Sequence, residues 1–167
     1  MKRIFLVGFM ACGKTTTGRR IAKKYGLEFI DLDAYIENRF HKSVSQIFAD
    51  KGEEGFRKIE HNMLQEVSGF EDVVIAAGGG TPCFFDNMDI MNEAGDTVYL
   101  KASPEKLCES LTVNGMAKRP LVANKTKEEL LDYVSSTLSV REPFYQKAKH
   151  TMAFDDLSDQ LFDHLLN

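Results

Sequence analysis

Residues 8–17 read Gly-Phe-Met-Ala-Cys-Gly-Lys-Thr-Thr-Thr, GFMACGKTTT. The spacing G-x-x-x-x-G-K-T is that of a phosphate-binding loop. Gly8 and Gly13 allow backbone angles that turn successive N–H groups inward on phosphate oxygens. The helix that follows adds the positive end of its dipole. Lys14 reaches the outer phosphates, and the Thr15 hydroxyl is a ligand for Mg²⁺. The motif requires a strand before it and a helix after it, and both are predicted. Residues 4–7 (IFLV) form an apolar run without alternation, which suits a central parallel strand covered on both faces. Residues 14–25 carry Ile21, Ala22 and Tyr25 on one helical face and stop at Gly26.

The same alternation continues outward from the loop. Strands are predicted at 27–32, 72–77, 97–101 and 151–154. Helices are predicted at 34–40, 44–49, 53–68, 88–93, 104–111, 127–139 and 158–166, with 141–149 continuing after a break at Pro143. Ser103 followed by Pro104 reads as an N-cap with proline at the first helical position. Five strands alternating with helices predict an α/β fold, a parallel sheet with helices on both faces. Residues 112–127 are polar, carry Gly115 and Pro120 and lack a helical stripe, which marks a candidate mobile flap.

A chain of 167 residues fits one domain, with room for small inserted flaps. The net charge of −4 argues against a nucleic-acid partner, while leaving room for a local basic cleft that takes small anions. No apolar run approaches the roughly 20 residues of a membrane span. The opening MKRIFLVGFM has two basic residues and a short apolar run, but it leads straight into the glycine loop, so a buried strand and a cytoplasmic protein are expected. Cys12, Cys83 and Cys108 are odd in number and widely spaced, so neither a disulfide framework nor a zinc site is expected. Cys12, inside the loop, reads either as a small filler or as a thiol activated by nearby positive charge.

Other residues address the phosphoryl acceptor. FIDLDAYIE places Asp31 and Asp33 at the end of the second predicted strand, where alternate side chains share a direction and both carboxylates can face the cleft. One carboxylate there can steady Mg²⁺ or its waters, and a second can take the proton of an attacking hydroxyl. Turn and N-cap aspartates look the same at this level. Arg57 in GEEGFRKIEH is either a surface ion pair or a two-pronged holder of a substrate carboxylate. The glycines 78–80 in VVIAAGGGTP leave bare backbone against which a ligand can press. Arg119 in KRPLV, within the candidate flap, is placed to neutralise a transferring phosphoryl group, and Arg141 in SVREPFYQKA sits near the expected cleft. Taken one by one, either cation also fits plain surface charge.

Taken together and in order, GFMACGKTTTGRRIA, FIDLDAYIE, FRKIE, AAGGGTP, VYLKASPE, KRPL and REPFYQKA resemble the shikimate kinases, P-loop kinases of the nucleoside-monophosphate-kinase type, through nearly the whole chain. Adenylate and gluconate kinases share the loop but not the DLD pair with the triple glycine. The resemblance implies a three-layer α/β/α P-loop kinase fold with a central five-stranded parallel sheet. It implies one domain over 1–167, with a substrate-binding helical insertion at about 33–61 and a lid at about 112–126. It implies transfer of the ATP γ-phosphate to the 3-hydroxyl of shikimate, on the way to chorismate and the aromatic amino acids. Carried over by position, Ala11, Cys12, Gly13, Lys14, Thr15 and Thr16 hold the ATP phosphates. Thr15 binds Mg²⁺, with Asp31 supporting it through water, and Asp33 binds the shikimate hydroxyls and acts as base. Arg57 and Arg141 hold the carboxylate, and Gly79 and Gly80 contact the ring. Arg119 closes with the lid, and Lys14, Asp33 and Arg119 form the catalytic set.

Three departures accompany the resemblance. Ala11 stands where the family often has glycine and narrows the loop. Ser110 stands where an arginine facing the nucleotide is common. The acidic AFDDLSDQ has no counterpart for a late arginine near the adenine, so the adenine contacts stay unassigned. Competing readings are a kinase for another sugar acid such as gluconate, and a nucleotide switch. The switch would want a GTP-type NKxD run, which the sequence lacks. With no spare apolar stripe, a monomer is the simplest expectation.

Overall fold

The computed structural model describes residues 2–113 and 124–167. Its strands are β1 (Arg3–Val7), β2 (Glu28–Asp31), β3 (Val73–Ala76), β4 (Asp96–Lys101) and β5 (His150–Ala153). They form one parallel sheet in the order β2-β3-β1-β4-β5. The helices are α1 (Lys14–Tyr25), α2 (Leu32–Phe40), α3 (Val44–Val67), α4 (Asn87–Ala94), α5 (Pro104–Val113), α6 (Lys127–Tyr145) and α7 (Gln160–Leu166), with a short 3₁₀ turn at Thr81–Cys83. They flank the sheet in a three-layer α/β/α arrangement.

Burial follows strand order. The central β1 (RIFLV) and β3 (VVIA) are buried at every position, whereas the edge strands EFID and HTMA keep exposed or half-buried residues. A strand covered on both faces must be apolar throughout, and an edge strand need not be. The chain runs β1, β2, β3 to one side of the sheet and then crosses to β4 and β5 on the other. This reversal beside β1 leaves a crevice at the carboxyl ends of β1 and β3, the place where open α/β sheets bind ligands. The glycine loop leaves β1 there, and the triple glycine leaves β3 beside it.

Most predicted elements fall within a residue or two of the observed ones. Ser103 accepts a hydrogen bond from the Lys106 N–H at 3.2 Å, as an N-cap does. Gly26 ends α1 in a left-handed cap. The predicted helices at 44–49 and 53–68 are two arms of α3 meeting at Gly52, whose backbone is not helical (φ 70°, ψ 179°). Two expectations change. Asp33 does not sit on β2: the strand ends at Asp31, which caps α2 by accepting the Ala34 N–H at 3.1 Å, and Asp33 belongs to the first turn of that helix. The break at Pro143 does not occur, and α6 runs on to Tyr145. Proline so close to a helix end forfeits a single bond to the carbonyl four residues back, and the fully buried Tyr145 anchors the last turn. The predicted flap and Arg119 fall largely or wholly on residues 114–123, outside the described residues.

A β-carbon at Gly52 would meet no heavy atom within 4 Å, so only its backbone angles demand glycine. That region of φ and ψ is essentially glycine's alone. Gly52→Ala is therefore expected to lower unfolding free energy by about 1–3 kcal/mol. Chemical denaturation measures this, and an unchanged midpoint refutes it.

Candidate active site

The loop between β1 and α1 opens toward the helix end. Gly13 caps α1 in a left-handed conformation, and α1 carries no acidic residue of its own in the first turn, which leaves the positive end of its dipole uncancelled from within the helix. The first intrahelical bond runs from the Thr17 N–H to the Gly13 carbonyl at 2.8 Å. The amides of Lys14, Thr15 and Thr16 precede it and have no intrahelical partner. The Lys14 ammonium folds back over the loop, donating to the Gly8 and Phe9 carbonyls at 2.6 and 3.0 Å. The buried Cys12 thiol lies 3.8 Å from the same ammonium. Ala11 is left-handed (φ 64°) despite its β-carbon, a conformation that costs roughly 1–2 kcal/mol outside glycine.

Beside the loop, the Thr15 hydroxyl donates to Asp31 Oδ2 at 3.1 Å. A threonine hydroxyl and one carboxylate beside a phosphate cradle form the sparse oxygen set that suits Mg²⁺, which keeps several waters and takes few protein ligands. Among the described residues no cluster of three or more His, Cys, Asp or Glu side chains competes for a metal.

The turn after β3 gathers the rest, and each of its glycines faces a different group. A β-carbon at Gly78 would meet Thr81 Oγ1 at 3.0 Å, Asp33 Oδ1 at 3.2 Å and Glu60 Oε2 at 3.4 Å. One at Gly79 would meet Arg141 Nη1 at 3.0 Å and the Met10 amide nitrogen of the phosphate loop at 3.5 Å. One at Gly80 would strike the Arg57 guanidinium at 2.7 Å. The three glycines thus admit a carboxylate pair and two guanidinium groups, and they abut the loop.

Asp33 is titrated up to about 6, first by burial and then by the neighbouring charges of Asp31, Glu60 and Glu37, against which Lys14 acts. Arg57 bonds Glu60 Oε1 at 3.0 Å and stands 3.7 Å from Glu53. Its guanidinium lies over the rings of Phe84 (4.2 Å), Phe56 (5.3 Å) and Phe48 (5.9 Å). Aromatic faces hold the guanidinium plane while leaving its edge for a carboxylate. Arg141 lies over the Phe9 ring at 5.7 Å. No carboxylate among the described residues comes within ion-pair distance of it.

A cleft of about 540 Å³ takes in the phosphate loop, Asp31, Asp33 and the first two glycines of the turn, with Arg20, Ser110, Phe154 and Leu157 also in its lining. A larger groove of about 880 Å³ lies between α5 and α6, with a mainly apolar surface among the described residues. Among the described residues its lining carries Glu105, Glu109 and Glu128 but no guanidinium group and no part of the phosphate loop.

The family model for shikimate kinase matches residues 10–167. The chain belongs to the shikimate kinase family. The shikimate kinase of Phocaeicola vulgatus is 54% identical over 160 residues, covering 96% of this chain and 91% of its own. That of Parabacteroides distasonis is 57% identical over 151 residues, covering 90% and 87%. The crystal structure of shikimate kinase from Bacteroides thetaiotaomicron superposes with a TM-score of 0.90 at 48% identity, covering 96% of this chain and 90% of that one. Shikimate kinase from Acinetobacter baumannii, solved in complex with shikimate, gives 0.85 at 32% identity over 99% and 93%. A gluconokinase from Sinorhizobium meliloti gives 0.61 at 18% identity, a likeness of fold alone.

Within this shikimate kinase fold two side chains carry the site without having stood out in the sequence. Glu60 is 1% exposed, and it holds Arg57 with one oxygen and the Thr81 hydroxyl with the other at 2.8 Å. Its signal was available: a carboxylate four residues after Phe56, on the apolar stripe of α3, and three after an arginine. Tyr145, fully buried, donates its hydroxyl to the Gly79 carbonyl and packs on Tyr99 with ring centroids 5.1 Å apart. It lies one turn beyond Arg141 on α6. Removing one partner of a buried ion pair strands the other. Glu60→Ala is expected to cost about 3–5 kcal/mol of stability, measured by chemical denaturation. A loss below about 1 kcal/mol, the scale of an exposed pair, refutes its anchoring role.

Proposed function

We propose that the cleft performs shikimate kinase chemistry as follows: the γ-phosphate of ATP passes to the 3-hydroxyl of shikimate, giving shikimate 3-phosphate and ADP. The supporting observation is the convergence of Asp33, Arg57 and Arg141 on the triple glycine next to the phosphate loop. Shikimate is a small polyol with one carboxylate, and this convergence offers an acceptor for hydroxyl protons and two cations for the acid.

The loop amides at 13–16 and Lys14 hold the ATP phosphates. On binding, the Lys14 ammonium exchanges its loop carbonyls for phosphate oxygens, a charge-assisted partner. Thr15, with Asp31 behind it, is the place for Mg²⁺. The metal supplies neutralisation of the charge that builds on the phosphates. Arg57 and Arg141 hold the shikimate carboxylate, and Gly79 and Gly80 present backbone to the ring. Asp33 accepts the proton of the 3-hydroxyl as its oxygen bonds to the γ-phosphorus in line with the departing ADP oxygen. Positioning and charge neutralisation do most of the catalytic work in such a transfer. Residues 33–61 serve as the substrate-binding insertion and 112–126 as the lid, from which Arg119 reaches the transferring phosphoryl group. Glu60 positions Arg57, and Tyr145 positions Gly79. One chain supplies the whole site, in keeping with a monomer. No described helix is long and apolar enough to cross a membrane, and a cytoplasmic setting would supply ATP.

ADP release is expected to depend on shikimate in a coupled assay and not to respond to gluconate alone. Asp33→Asn should retain ADP binding while turnover falls by about 10²–10⁴-fold, the usual weight of a general base. Release without any acceptor, or normal turnover in Asp33→Asn, overturns the reading. The base must be ionised, and its pKa is raised to about 6. Activity is therefore lost as pH falls through about 6. The acid limb of kcat/KM, which reports the free enzyme, is expected there, and a limb near the ordinary aspartate value of about 4 contradicts the assignment.

A further inference from the structure

Ser110 stands on α5, 99 residues from Ala11 in sequence, yet its Oγ donates to the Ala11 carbonyl at 2.8 Å. Ala11 is the left-handed residue in the middle of the phosphate loop. A β-carbon disfavours that conformation, so the loop holds its shape only against an opposing preference. The carbonyl of Ala11 and the N–H of Cys12 belong to one peptide unit and point in opposite directions, as no cis bond occurs. The Cys12 N–H donates to the Phe9 carbonyl at 3.2 Å. The 11–12 peptide plane is therefore gripped at both ends, by the loop itself on one side and by α5 on the other. After Gly13 come the three amides of Lys14, Thr15 and Thr16, which precede the first intrahelical bond at the positive end of α1.

We infer that Ser110 is a positioning residue for nucleotide phosphate, its hydroxyl holding Ala11 in the left-handed conformation that aims the loop amides into the cleft. The inference rests on the reading of this cleft as the ATP site. It concerns affinity for the phosphates of ADP and ATP, since the bond runs to the phosphate loop.

Calorimetry with Mg·ADP, and KM values for ATP and shikimate, test it on the wild type, Ser110→Ala, Ser110→Thr, Ala11→Gly and the double variant Ala11→Gly/Ser110→Ala. Loss of one hydrogen bond is the relevant scale. Ser110→Ala is expected to weaken ADP about tenfold, or about 1.4 kcal/mol, and to raise KM for ATP with KM for shikimate unchanged. Ser110→Thr, which keeps the hydroxyl, restores most of the affinity. Glycine adopts the left-handed conformation without strain, so in the Ala11→Gly background the loss is expected to shrink to about threefold or less, a coupling a double-mutant cycle resolves. Unchanged ADP affinity in Ser110→Ala overturns the inference. Equal losses in both backgrounds also overturn it, because the hydroxyl would then act on the nucleotide and not through Ala11. A parallel rise in both KM values with a lowered melting temperature overturns it as general destabilisation. Failure of the wild type to bind ADP is a separate outcome, and it sinks the nucleotide reading of the cleft together with the inference.

Discussion

Three consecutive residues without side chains, Gly78–Gly80, are the constraint on which the site depends. Groups from the start of α2, the second arm of α3, the 3₁₀ turn and α6 all reach within 3.4 Å of where a β-carbon would stand on one of them. No other residue type leaves the space for a carboxylate pair and two guanidinium groups to close on one stretch of backbone. The same turn touches the phosphate loop through Gly79. Any enlargement there pushes the acceptor side and the donor side apart. In-line phosphoryl transfer gains most of its rate from holding the two together.

The charges around that turn are not equivalent. Glu60 is buried and fully engaged by Arg57 and Thr81, so its charge is compensated and its geometry is set. Asp33 is raised toward neutrality mainly by burial, with Asp31, Glu60 and Glu37 adding to the effect. One carboxylate is thereby held by two partners, and the other has its pKa raised to about 6. Asp31 does two jobs at once: one oxygen caps α2 and the other accepts from Thr15. The cap holds α2, and with it Asp33, against the end of β2. Asp31 and Asp33 are thus placed by the same short turn.

Much of this was legible in the chain because its signals are local. Apolar runs at 4–7 and 73–76 mark the buried strands, the GxxxxGKT spacing marks the loop, and Gly26 and Ser103 mark helix ends. Pro143 predicts a break, yet α6 runs through it to Tyr145, whose burial is a tertiary fact. Alternation puts Asp33 on a strand, but the Asp31 cap has by then begun a helix. Glu60 hid in plain sight on an apolar stripe, where a lone carboxylate gains meaning only once its partners are known. Ser110 read as a missing nucleotide contact, and in the folded chain it holds Ala11.

By itself the sequence determined the parallel α/β sheet, the phosphate grip, and, through its resemblance, the family to which the acceptor chemistry belongs. These rest on spacing within one segment, or on the order of segments, which folding does not alter. Tertiary structure alone decided which carboxylate Arg57 and Thr81 hold, which guanidinium has no acidic partner among the described residues, and what steadies the left-handed Ala11. Each of those depends on distances between residues far apart in the chain. Desolvation and Coulomb interaction act through space, and they exist only after the helices have closed on the glycine turn.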